Sequence, residues 1–125
     1  MRVVFDDRAG PAIVARFAAL AEKGLSVTVC PPDDPDGKQA ALAAAEALWH
    51  VLTPVTAAAI AAAPQLRLIQ KIGSGVNTID VAAAAAHGIA VCNLPGSNAR
   101  AVAEHALLLM LATLRRLPKL DAALR

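Results

Sequence analysis

The chain predicts an α/β domain: a five-stranded parallel sheet sandwiched between helices as three layers and closed by one long helix. Short runs of Val, Ile and Leu alternate with helical patterns along the whole length. The runs are set apart by Gly, Pro, Asp and Asn, the residues that punctuate strands and cap helices. Alternation of this kind implies βαβ units with right-handed crossovers. At 125 residues the chain suits one domain with a single core.

Residues 2–5 read as the first strand. Residues 11–22 have helical spacing, with Ile13, Phe17 and Leu20 on one face, and Lys23-Gly24 closes that helix. Residues 25–30 are the second strand. Residues 31–37 carry three aspartates and three prolines and read as a surface loop. A weak alanine helix over 38–45 leads to the third strand, 47–52, which ends at Thr53-Pro54. Thr56 caps a short helix reaching about Ala62, and Pro64 prevents its extension. Residues 66–72 are the fourth strand. Asp80 caps a helix over 81–87, Gly88 ends it, and 89–92 are the fifth strand. Ser97 or Asn98 then caps a long helix reaching Arg116 or Leu117, and Pro118 disturbs any continuation beyond it. Five strands favour a flavodoxin-like order over a six-stranded dinucleotide fold.

The last helix carries Val102, Ala103, Ala106, Leu107, Leu109, Met110, Leu111 and Leu114, with almost no polar stripe between 106 and 114. A helix apolar all round needs cover on all sides. One sheet covers one side, so a second body of protein is expected. The chain stops at 119–125 inside another helical pattern, as if cut.

Composition narrows the function. Hydrophobic residues make up 57% of the chain but aromatics only 2%, so alanine and small aliphatics carry the burial. A net charge of +2, with its charges scattered, makes no case for nucleic acid or a membrane surface. Arg115, Arg116, Lys119 and Arg125 form the nearest thing to a basic cluster, read as solvated side chains near a helix end. The longest apolar run, 106–114, is far short of the ~20 residues of a membrane span. No secretory signal is visible, and a cytoplasmic protein is expected. Cys30 and Cys92 each end an apolar run, have no metal-ligand spacing, and read as buried, reduced thiols.

Two loops carry the chemistry: Gly73-Ser74-Gly75-Val76-Asn77 and Pro95-Gly96-Ser97-Asn98. Each comes after a strand, so both are delivered to one edge of the sheet, where open α/β sheets bind ligands. Gly73 and Gly75 have the first spacing of a G-x-G-x-x-G fingerprint. The sixth position is Thr78, and no acidic residue stands at the further distance a ribose needs. Without Cβ, the two glycines let consecutive backbone N–H groups approach a small anion, making a carboxylate-sized nest. A tight turn that binds nothing is the alternative. Asn98 is either a plain N-cap or a donor to a substrate oxygen. His87 reads as a solvated helix-end residue, His50 as a packed or edge residue, and His105 as too far along its helix to share a substrate atom with Asn98. Glu104 is spaced to pair with Arg100. No catalytic triad or metal set can be assembled. Asp6-Asp7 fits the acidic pocket of a phosphoryl-accepting receiver, but the Asp and Lys that such a pocket needs at later strand ends are missing.

Three motifs in order, LRLIQKIGSGVNTID at 66–80, HGI at 87–89 and NLPGSNARAVAEH at 93–105, resemble the D-isomer-specific 2-hydroxyacid dehydrogenase family. Phosphoglycerate, glyoxylate/hydroxypyruvate and formate dehydrogenases belong to it. The likeness is strong over 66–117 and only compatible over 1–64. It implies a flavodoxin-like substrate domain split in sequence by a nucleotide-binding domain, and reversible hydride transfer between a 2-hydroxy acid and NAD or NADP. On that likeness residues 1–117 are the N-terminal part of the substrate (catalytic) domain, and 118–125 begin a linker to a nucleotide-binding domain absent from the chain. Gly73 lies in the substrate loop, and the backbone of Ser74 and Gly75 would hold the substrate carboxylate. Ser74 also matches a position reaching the nicotinamide, Asn98 matches a substrate-bonding asparagine, and Ala99 matches a cofactor-touching position that is often Ser or Thr. The acid–base Glu–His pair, the clamping Arg and the true diphosphate fingerprint would lie beyond residue 125, leaving this chain inactive by itself. Expected partners are a small 2-oxo or 2-hydroxy acid, the missing nucleotide-binding domain and, as one option, a second copy in a homodimer. A stand-alone binding or interaction domain on the same scaffold, without chemistry, is the reading from a different class.

Overall fold

The computed structural model describes residues 1–125 and divides into two compact units, Met1–Pro95 and Gly96–Arg125. In the first, β1 (Arg2–Phe5), β2 (Ser26–Val29), β3 (Ala47–His50), β4 (Leu68–Lys71) and β5 (Ala90–Cys92) form one sheet in the order β2-β1-β3-β4-β5. Every pairing is parallel. This is the flavodoxin-like order expected from the strand count, and it leaves β3 at the centre.

The strand register explains the packing. Thr28, Val4, Leu48, Ile69 and Val91 lie in one row across the sheet and share a face. Val4, Leu48 and Ile69 from this row join Leu42 on α2 (Pro35–Ala44), Ile60 on α3 (Ala57–Ala61) and Ala84 on α4 (Val81–Ala86) in the buried core. The next row places Phe5 and Trp49 on the opposite face. There Phe17 of α1 (Pro11–Ala19) stacks obliquely between them, with ring centroids 5.2 Å from Phe5 and 5.6 Å from Trp49. Tilted aromatic contacts at this spacing suit the ring quadrupoles. All three of the chain's aromatic residues thus dock one helix, while small aliphatics fill the other side.

Helix ends obey local chemistry. The side chains of Thr56 and Asp80 accept from the Ala59 and Ala83 amides at 3.2 and 2.9 Å, as the sequence predicts. Residues 31–37 depart from the expected loop. Asp34 accepts from the Gly37 amide at 2.9 Å, so α2 starts at Pro35, whose ring is preset for a first helical turn. Cys92 departs too. It lies one residue beyond Val91, on the opposite face of edge strand β5, and is exposed, whereas Cys30 is buried. Both thiols are free.

In the second unit, α5 (Ala99–Leu114) is succeeded by α6 (Leu117–Leu124). The long helix stops short of the expected Arg116 or Leu117, because Arg116 takes a left-handed conformation at φ 51°. Pro118 then sits in the first turn of the new helix, where its missing N–H costs nothing. Leu107, Leu111 and Leu114 are 57%, 61% and 78% exposed, so the apolar surface of α5 is bare in this chain. No helix is long and apolar enough to cross a membrane.

Ile69 is wholly buried at the middle of the core row. Ile69→Ala is expected to lower unfolding free energy by about 2–5 kcal/mol, read by urea denaturation.

Candidate functional site

Parallel strands deliver their C-terminal ends to one edge, and there the turn at Gly73, Ser74 and Gly75 is tied to the end of β5. The Leu94 amide donates to the Gly73 carbonyl at 2.9 Å. The Asn93 side-chain amide donates to the Ser74 carbonyl at 2.7 Å, and the Ser74 hydroxyl to the Leu94 carbonyl at 3.1 Å. The first of the two loops that the sequence singles out is therefore tied, at Gly73 and Ser74, to Asn93 and Leu94 just after β5. Gly73 has φ 152°, a conformation closed to side-chain-bearing residues. A Cβ on Gly75 would stand 3.0 Å from the Asn77 side-chain oxygen. The Gly75 and Val76 N–H groups enter no hydrogen bond within the chain. Two successive amides on a turn held in place are what a small anion needs.

Beside this turn lies a set of buried charges. The Asp6 side chain, at the end of β1, is fully buried. Its Oδ2 accepts from Lys38 Nζ at 3.2 Å and from His50 Nδ1 at 2.8 Å, and its Oδ1 accepts from the Val51 amide at 2.7 Å. His50 Nε2 lies 2.7 Å from the Thr78 hydroxyl. Lys71 runs past Gly73, its Cε 3.4 Å from where a Gly73 Cβ would be, and its ammonium donates to the Val51 carbonyl. Asp6, His50, Lys71 and Thr78 come from β1, β3, β4 and the loop after β4. Sequence reasoning missed this set. It weighed Asp6 only as a phosphoryl acceptor and left His50 as a packed or edge residue. His50 is packed, on the central strand and hydrogen-bonded at both ring nitrogens. The available signal was a polar, hydrogen-bonding residue (Asp6, His50, Lys71) at the end of each of three adjacent apolar strands.

Asn98, Ala99, Arg100, Glu104 and His105 belong to the second unit, and His87 closes α4 in the first. Asn98 holds the N-cap position of α5 without a side-chain capping bond, and Ala99 is that helix's first residue. His87 bonds the Ala83 carbonyl at 2.9 Å on an exposed helix end. His105 is exposed on α5. Arg100 and Glu104 form the expected pair at 2.8 Å. Burial pushes the Cys30 thiol above its ordinary range, reinforced by Asp34. Such a thiol is a poor nucleophile. The Arg2 amide, 2.7 Å from Glu46, holds that carboxyl below its usual range.

The 73–75 turn does not fit a dinucleotide diphosphate. A diphosphate site needs a helix opening directly on the glycine turn. Here α4 begins only at Val81, and the Asp80 carboxylate sits at its N-terminus, accepting from the Ala83 amide.

Comparison with known proteins establishes the family. Residues 3–120 match the family described as D-isomer specific 2-hydroxyacid dehydrogenase, catalytic domain. The chain is 40% identical to a D-3-phosphoglycerate dehydrogenase of Mycobacterium tuberculosis over 126 aligned positions, covering 98% of this chain and 23% of that protein. It thus spans about a quarter of the length of that relative. An NAD-dependent formate dehydrogenase from Staphylococcus aureus, solved with NAD, superposes with a TM-score of 0.84 at 25% identity, over 95% of this chain and 40% of the other. A phosphoglycerate oxidoreductase from Vibrio cholerae gives 0.68 at 31% identity, over 94% and 38%. The chain belongs to the D-isomer-specific 2-hydroxyacid dehydrogenase family and corresponds to its catalytic domain.

Proposed function

We propose that this chain supplies the acid-holding half of a D-2-hydroxyacid dehydrogenase cleft. Gly73, Ser74 and Gly75 cradle the carboxylate of a small 2-oxo or 2-hydroxy acid. Hydride passes between C2 of that acid and NAD or NADP. The observation that carries the reading is the pair of unengaged amides, Gly75 and Val76, on a turn fixed by Asn93 and Leu94. The Lys71 ammonium beneath Gly73 adds positive potential without offering a competing carboxylate. Asn98 keeps the role of a substrate-oxygen donor that the family implies. Ala99 takes the cofactor-facing position without the hydroxyl found there in many members. The chain has no diphosphate cradle, so a nucleotide-binding domain elsewhere in the enzyme binds the cofactor.

Titrating the 15N-labelled chain with pyruvate should shift the Gly75 and Val76 amides, while lactamide, which lacks the charge, leaves them in place. Gly73→Ala places a Cβ at φ 152°. It is expected to weaken pyruvate binding at least about tenfold and to cost more than about 1 kcal/mol of stability. A pyruvate response confined to other residues rejects the cradle. With NADH and glyoxylate, hydroxypyruvate or pyruvate, the chain by itself should show no turnover, and joining it to a relative's nucleotide-binding domain should restore activity.

The bare leucines of α5 make a second expectation. An exposed apolar surface of this kind drives association. Sedimentation velocity should show dimers or larger species, and Leu107→Glu with Leu111→Glu should return the chain to monomer.

A further inference from the structure

The loop from Gly73 to Thr78 has two limbs, held by different means. The first is bonded to Asn93 and Leu94 at the end of β5. The second descends through Asn77 to Thr78, where the Val55 amide takes the backbone carbonyl at 2.9 Å and His50 takes the hydroxyl at 2.7 Å. His50 cannot turn to track the loop. Its ring is wholly buried and its Nδ1 faces the Asp6 carboxylate at 2.8 Å. A carboxylate accepts, so Nδ1 donates, and in the neutral ring Nε2 is left to accept the Thr78 hydroxyl proton. Asp6 is itself fixed by the Val51 amide and by Lys38.

We propose that Asp6 and His50 are positioning residues for the 73–75 turn. Acting through the Thr78 hydroxyl, they set the descending limb so that the Gly75 and Val76 amides face outward together. Burying a carboxylate and an imidazole beside two lysines carries a desolvation cost, and apolar side chains of similar volume commonly stabilise a core as well. The polar set supplies direction instead, fixing one hydroxyl at a defined distance from the central strand. What the amides bind rests on the carboxylate reading above; what holds them does not.

The test compares Thr78→Val, which keeps the shape and removes the hydroxyl, with Thr78→Ser, which keeps the hydroxyl. Backbone order parameters over 73–77 are measured in the 125-residue chain. They should stand near roughly 0.85 in the unaltered chain and in T78S, and fall below roughly 0.6 in T78V, with β1 and β3 unchanged. The pyruvate dissociation constant should rise about fivefold in T78V and recover in T78S. Asp6→Asn is read through the His50 ring nitrogens, whose spectrum should lose its single Nδ1–H tautomer while 73–77 loosens. A turn as rigid in T78V as in the unaltered chain overturns the proposal, and so does a T78S turn as loose as T78V. Should pyruvate move no amide in the unaltered chain, the carboxylate reading fails separately, and the order parameters still decide the role of Asp6 and His50.

Discussion

A single buried carboxylate organises the functional edge of this domain. Asp6 ends β1 with both oxygens committed, one to the backbone of Val51 and the other to Lys38 and His50. An isolated charge in that position would be intolerable, because burial of an unpaired ion costs several kcal/mol even after relaxation. The surrounding elements must therefore bring their donors to it. Lys38 comes from α2, His50 from β3, and the Val51 amide from just beyond it. Where the strands end, and which way the succeeding segments leave, is constrained by satisfying that one group.

The order and type of elements were legible because their signals are local. Alternating apolar runs and helical patterns, Thr56 and Asp80 at helix starts, and Gly88 at a helix end each act within a few residues. The errors came where one local signal masked another. Residues 31–37 look like a loop by composition, yet Asp34 and Pro35 in that order are also a helix start. Cys92 ends an apolar run, but strand alternation puts it opposite Val91, on the outer face. Arg116 breaks the long helix through a backbone conformation that its side chain does not advertise.

The site was legible in part for the same reason. Gly73 and Gly75 announce themselves because their backbone conformation and close contacts exclude other residues. Asp6, His50 and Thr78 do not, since they are 44 and 28 residues apart in sequence and meet only through parallel pairing. An aspartate after an apolar strand is also what a turn wants, and a histidine within one is usually mere filling. Only the pairing of β3 between β1 and β4, which the strand count suggests but no local signal at these residues marks, brings the three together.

The same geometry underlies the proposal that this edge takes a small acid and not a nucleotide. A diphosphate spans several oxygens and calls for a row of amides at a helix start. In this chain the residues between the glycine turn and α4 are otherwise engaged. Thr78 is bonded to His50 and Val55, Ile79 pairs with Val55, and Asp80 caps the helix with its own negative charge. An anion approaching α4 would meet that carboxylate. An anion at Gly75 and Val76 would instead meet two amides that enter no other hydrogen bond. The bonds that engage Thr78, Ile79 and Asp80 thus also leave no row of open amides at the start of α4.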